Sequence, residues 1–187
     1  GTAAWVIEGC RADGRVEGQC IIPGGPEDQS AYRSELGGLY AIAAMVQVIC
    51  ELHNIQEGSI EVACDGMNAL AQVGEADPII RPNGAQYDII AATQAKIKRT
   101  NIQWKMRHVM GHQDDTQGCT VMDRWETLNC MMDERAKQHW QHHSTRTTRV
   151  QAAVDGEPWA VWTGRSKICR RLAAQVIEHV RRTQCKV

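Results

Sequence analysis

Ser59-Ile60-Glu61-Val62-Ala63-Cys64-Asp65-Gly66-Met67-Asn68-Ala69-Leu70 is the stretch on which the reading of the fold turns. Residues 59–65, preceded by Gly58, read as a strand that ends on a carboxylate, and a short helix over about 66–73 follows at once. Taken alone, Asp65 followed by Gly66 is also an ordinary turn or helix cap. What flanks it decides between these readings.

Upstream, residues 2–8 are β-branched and aromatic enough for a strand, Asp13-Gly14 supplies a hairpin-type turn, and residues 16–22 return as a second strand. Pro23-Gly24-Gly25-Pro26 breaks the pattern. From about Ser30 to His53 the periodicity predicts a helix, with Ser30 as N-cap and Leu36, Leu39, Tyr40, Ala43, Val46 and Cys50 recurring at three- and four-residue steps. Gly37-Gly38 costs that helix about 1 kcal/mol each relative to alanine, tolerable where a backbone must approach another element closely.

Downstream, residues 74–84, with Pro78, Pro82 and Gly84, form a loop, and Tyr87 to Arg99 a helix. Ile102, Trp104, Met106 and His108 alternate with Gln103, Lys105, Arg107 and Val109 as in a half-buried strand. A polar loop from Gly111 to about Arg124 leads to a helix over about 126–142. The order β-β-α-β-α-α-β-α predicts an α/β fold with a mixed sheet. After Ser144 the texture turns polar and basic. Residues 159–162 suit a short strand, and Ile168, Leu172, Val176, Ile177 and Val180 mark an amphipathic helix. The expected division is a domain over 1–143 and a basic C-terminal extension over 144–187.

At 187 residues, with 43% hydrophobic and 23% charged content, the chain suits one globular domain with a proper core. No run of about 18 apolar residues occurs, so no membrane partner is expected. The opening residues Gly1-Thr2-Ala3-Ala4-Trp5-Val6-Ile7 read as a strand entered midway, which suggests a fragment or processed product. None of the eight cysteines forms a C-x-x-C pair, which argues against a zinc ribbon and for an intracellular, reducing compartment, cytoplasm or nucleus. Cys50 and Cys64 fall on apolar faces and read as buried thiols. His139, His142 and His143 cluster near a helix end, where a solvated polar terminus is favoured over a metal clip. The net charge of −1 hides an asymmetry: residues 144–187 carry nine Lys/Arg against three acids, the remainder twelve against nineteen. Such a tail suits a nucleic-acid backbone or, equally, a solvated helix face.

Three carboxylates stand in separate settings: Glu35 near the head of the long helix, Asp65 at the strand end, and Asp133 on the late helix. Singly, Glu35 is a surface acid favoured by the helix dipole and Asp133 an ordinary surface residue. Their surroundings carry a resemblance. Residues 30–36, Ser30-Ala31-Tyr32-Arg33-Ser34-Glu35-Leu36, are similar to the retroviral ribonuclease H pattern S-A-Q-R-A-E-L. Residues 64–70 resemble its strand-end T-D-S-x-Y-A segment, and His108-Val109-Met110-Gly111-His112-Gln113 its H/W-V-K-G-H-Q loop. Residues 129–137 resemble its terminal N-x-x-A-D-x-x-A-K helix, and the opening residues its second strand, G-x-G-A-x-x-I/V. These motifs, in the family's order, span residues 1–142.

The resemblance implies a type 1 ribonuclease H domain of a retroelement: a ribonuclease H-like mixed sheet flanked by helices, fused behind a reverse transcriptase, hydrolysing the RNA strand of RNA–DNA hybrids. It implies Glu35, Asp65 and Asp133 as ligands of two Mg²⁺ ions, with Mn²⁺ able to substitute, and His112 as a proton shuttle or aid to product release. Arg33, Asn68 and Gln113 are the implied substrate contacts. The chemistry suits these residue types. Two hard divalent ions roughly 4 Å apart activate a water and stabilise the leaving oxygen, and they take oxygen ligands. Carboxylates crowded without metal repel one another. An imidazole titrates where a proton shuttle needs it.

The chain also departs from the pattern. The family's first catalytic Asp lies on the strand before the one that opens this chain, so the sheet's first strand is expected to be missing or partial, and 1–187 alone is expected to show little nuclease activity. His112 and Asp133 are 21 residues apart, a longer interval than in compact cellular enzymes, with Asp114 and Asp115 reading as solvated loop residues. Residues 74–86 hold only Arg81 as a cation, so hybrid affinity is expected to rest on a fused polymerase or the basic tail. The competing readings are a catalytically inactive ribonuclease H-like scaffold, a transposase or integrase of the same broad fold, and a plain structural domain.

Overall fold

A computed structural model describes residues 1–9, 14–25, 28–74, 85–111, 122–144, 154, 160–163, 166–168 and 171–184. The elements follow the order β1 (Thr2–Glu8), β2 (Arg15–Ile21), α1 (Ala31–Leu52), β3 (Ser59–Cys64), α2 (Met67–Gly74), α3 (Tyr87–Lys98), β4 (Gln103–His108), α4 (Arg124–Ser144), β5 (Trp162–Thr163), β6 (Ser166–Lys167) and α5 (Leu172–Gln184). The expected α/β order through residue 143 is therefore present. Asp13 of the anticipated turn and most of the loop at 74–84 lie outside the described residues.

β1 pairs with β2 antiparallel, Trp5 opposite Gly18, and β3 pairs with β4 parallel, Ile60 opposite Trp104. Parallel partners need a crossover, and α2 and α3 supply it. Both kinds of pairing occur, but as separate two-stranded sheets among the described residues. The strand expected at residues 159–162 is Trp162–Thr163, paired with β6.

α1 forms as its periodicity requires. Ser30 caps it, its side chain accepting from the Arg33 amide at 3.1 Å. Its buried residues, Leu36, Leu39, Ala43, Val46 and Cys50 among them, recur at helical spacing and pack on β1 and α3. By length and a mean hydropathy of 1.4 it passes the composition test for a membrane span, yet this face lies in the core. The Gly37 position explains the tolerated glycine: a Cβ there would overlap Ile22, which is fully buried. The core joins Ala3, Leu36, Leu39, Val62, Leu70 and Ile89. α4 lies along β1 and is held at both ends: the Thr2 hydroxyl donates to the Ala136 carbonyl at 2.7 Å, and Arg124 pairs with Glu8 at 2.5 Å.

At the centre sits an ionic cluster. Arg33 donates to both Asp88 oxygens at 3.0 and 2.8 Å, and Lys167 reaches Asp88 at 2.9 Å, all three side chains fully buried. Arg33 also donates to the Pro23 carbonyl at 2.7 Å and to Gln86. Residues beyond 143 thus reach the interior: Lys167 enters this cluster, Val154 joins the apolar core, and Ile168 is fully buried. α5 has no buried residue and exposes Val176, Ile177 and Val180.

Burial pushes the Asp88 carboxyl up, but the hydrogen bonds and charges of Arg33 and Lys167 outweigh it and hold the group well below the carboxylate range. Asp88→Asn removes the charge that neutralises two buried cations and should destabilise the fold by about 3–5 kcal/mol in urea titrations; a loss under about 1 kcal/mol would mean that the cluster is not holding the fold together. Because the folded value lies below the unfolded one, Asp88's contribution is complete above pH about 4 and is lost as pH falls through the folded value. The wild type should therefore lose stability below pH about 4 more steeply than Asp88→Asn.

Candidate active site

A groove of about 760 Å³ runs between β1 and β3. β1 lines it along its whole length, β3 from Ile60 onward, and α1 and α4 contribute the other walls. Glu35, Asp65 and Asp133 all line it. The sequence expected these three from one helix head, one strand end and one late helix, and the fold brings them from α1, β3 and α4 to one groove.

Glu35 and Asp65 form the tighter part. Asp65 follows the last residue of β3, and its backbone carbonyl accepts from His108 Nε2 at 3.1 Å, so that nitrogen carries the proton. Two glycines let backbone close on the carboxylates. A Cβ at Gly66 would overlap the Glu35 carboxylate, and one at Gly111 would stand 2.5 Å from Asp65 Oδ2. Burial pushes the Glu35 carboxyl up, and the charge of Asp65 pushes it further. Cys64, expected as a buried thiol, is pushed up to about 12 by burial and by the same two carboxylates, so it is neutral and inert here.

Asp133 belongs to the opposite wall. Its carboxylate pairs with Lys137 at 2.8 Å, one turn on, both side chains about half exposed. An exposed pair of this kind is worth roughly 0.3–0.5 kcal/mol, so it yields readily to a stronger partner. Among the described residues no group of three or more His, Cys, Asp or Glu side chains converges closely enough to hold an ion. The all-oxygen donor set and the repulsion between Glu35 and Asp65 suit a hard divalent cation at that pair. The third carboxylate lines the same groove from α4.

The remaining expected site residues divide. Asn68 is exposed on the first turn of α2, one turn past Asp65. Arg33 is a correction: its guanidinium is fully buried against Asp88, so it is a core residue and makes no substrate contact. Two residues apart on a helix are about 200° apart, so seating Arg33 inward turns Glu35 to another face. His112, Gln113, Asp114 and Asp115 lie outside the described residues. The histidines at the end of α4 pack edge to face, His139 to His143 at 4.3 Å and His142 to His143 at 5.3 Å. Sequence reasoning missed Lys137, although its i+4 spacing from Asp133 is visible. It also missed Gly111, for which no local pattern signals proximity to Asp65.

Glu35's raised value makes its ionisation work against folding. Below pH about 4, where it is protonated folded or unfolded, Glu35→Gln and the wild type should differ little in melting temperature. As pH rises through the unfolded and then the folded value the wild type loses stability, so at pH 7 Glu35→Gln should melt higher. Equal melting temperatures across that range would remove the electrostatic strain assigned to the pair.

Comparison of the chain with protein-family models, with curated proteins and with solved structures gave no match.

Proposed function

We propose that this chain is a ribonuclease H-type endonuclease domain of a reverse-transcribing element, acting on the RNA strand of RNA–DNA hybrids with divalent metal. The observation that carries this reading is that Glu35, Asp65 and Asp133, from three separate elements, all line one groove. Glu35 and Asp65 would hold Mg²⁺ or Mn²⁺ first, since relief of their repulsion favours binding there. Asp133 would join from α4 on leaving Lys137. Bound metal would supply the activated water and the stabilisation of the leaving oxygen. Gly66 and Gly111, lacking a Cβ, leave the room that the Glu35 and Asp65 carboxylates respectively occupy.

His112 is proposed as the proton shuttle and Gln113 as a substrate contact, on the resemblance of their loop alone. Asn68, exposed three residues after Asp65, would donate to a sugar hydroxyl or phosphate. Recognition of the RNA strand would rest on its 2′-hydroxyls and on duplex shape. The basic excess after residue 143 would add backbone affinity that falls with salt. A reverse transcriptase fused ahead of the chain and an intracellular, reducing setting belong to the same proposal.

A second reading rests on the pairing of Asp133 with Lys137 and on the lack of a converged donor triad among the described residues: an inactive scaffold that binds hybrid or a polymerase neighbour. Incubating the chain with end-labelled hybrid and Mn²⁺ separates the two. The nuclease reading expects slow, metal-dependent cleavage confined to the RNA strand. Asp65→Asn should reduce it by about 10²-fold or more, since several kcal/mol of charge stabilisation rest on a metal ligand. Binding without cleavage supports the scaffold, and equal cutting of duplex DNA supports a transposase-like enzyme instead.

A further inference from the structure

The C-terminal end of α4 carries three imidazoles that the groove does not use. His139, His142 and His143 sit on its last turns, and none of them lines the groove. By residue type and position they read as a solvated polar terminus, but the fold gives them a different character. The His143 ring meets His139 edge to face at 4.3 Å and His142 at 5.3 Å between ring centres. His143 Nδ1 is buried and makes no hydrogen bond among the described residues. A solvated imidazole hydrogen-bonds water at both nitrogens, whereas a buried ring nitrogen with no partner calls for one. Burial, and then the charges of His143 and His142, hold the His139 imidazole below its usual value, so the neutral form predominates at pH 7.

We propose that His139 and His143 form a binding site for a transition-metal dication, Zn²⁺ above all, which clips the last turn of α4. Their spacing suits it, because residues four apart on a helix share one face, one turn apart. A tetrahedral zinc with bonds of ~2.1 Å to nitrogen sets two imidazole ring centres ~5 Å apart. The observed separation is 4.3 Å, so side-chain torsions alone open the pair to an ion. His143 Nδ1 then gains the partner it lacks. The neutral imidazole is the form that binds metal, and it is the form His139 holds. Among the described residues no group of three His, Cys, Asp or Glu side chains converges there. The clip therefore has two protein ligands, and water takes the remaining positions.

The donor set selects the ion. Imidazole nitrogens favour Zn²⁺, Ni²⁺ or Cu²⁺, whereas Mg²⁺ takes oxygen ligands, so this site and the Glu35–Asp65 pair prefer different metals. The helix adds to the attraction. Its last carbonyls carry negative partial charge, and a dication held at the C-terminal turn is favoured by it. The clip ties the end of the helix that also carries Asp133 and Lys137. This inference does not depend on the nuclease reading, because neither nucleic acid nor the groove carboxylates enter it.

The test titrates the 187-residue chain with Zn²⁺ by calorimetry, with thiols kept reduced and Mg²⁺ in excess to occupy oxygen sites. The expected result is saturable binding that shifts the ring nitrogen resonances of His139 and His143 and slows amide exchange in the last turn of α4. His139→Gln and His143→Gln should each weaken binding by about tenfold or more, and His142→Gln by less than about threefold. Absence of saturable Zn²⁺ binding overturns the proposal. So does undiminished binding by either ligand variant with an unchanged circular dichroism spectrum. Zn²⁺ held by the chain's cysteines instead leaves both ring resonances unmoved, and that result overturns it too. The resonances are read on the wild type, so this arm decides whether or not the variants fold.

Discussion

Asp88, fully buried between Arg33 and Lys167, is the constraint from which the rest of the arrangement follows. Three charges removed from water are tolerable only together, because each would be strongly penalised without its counter-charge. That requirement pins α1, α3 and β6 to one point. It also orients α1. With Arg33 drawn inward, Leu36 and Leu39 fall into the core and Glu35 turns toward the groove. The position of the candidate site is thus a by-product of a core interaction made by the residue two positions before Glu35.

The site itself combines strain with openness. Glu35 and Asp65 are kept close by glycine backbone, and their mutual repulsion is left standing in the protein alone. Natural sites that await a cation often carry such a burden, since the groups that hold the ligand are destabilising without it. Asp133 stands apart, neutralised by Lys137, so the third carboxylate is available without adding to that repulsion. The groove lies between the two sheets. All three acids line it, and so do β1 and β3.

Much of this was legible in the residues. The periodicity of α1, its Ser30 cap and the close approach at the glycine pair all follow from local rules, and local rules are what a single sequence expresses. The same holds for the strand that ends at Asp65 and for the alternation of β4. Arg33 shows where such reading stops. Its position beside Glu35 in a motif-like segment made it an expected substrate contact. Its partner, however, is 55 residues away, and a charge pair at that range leaves no periodic trace. Lys167 is the same case at 79 residues from Asp88.

The sequence by itself determined the elements, their order, the apolar faces and the presence of three acids in motif-like settings, because each depends on neighbours within a few residues. Only the tertiary structure decided that Arg33 is core, that Lys167 and Val154 reach the interior, and that β1 and β3 line one groove. Those outcomes depend on which distant groups must share a buried charge or fill a common volume. Such choices are made by burial and electrostatics over the whole chain, not by any one segment of it.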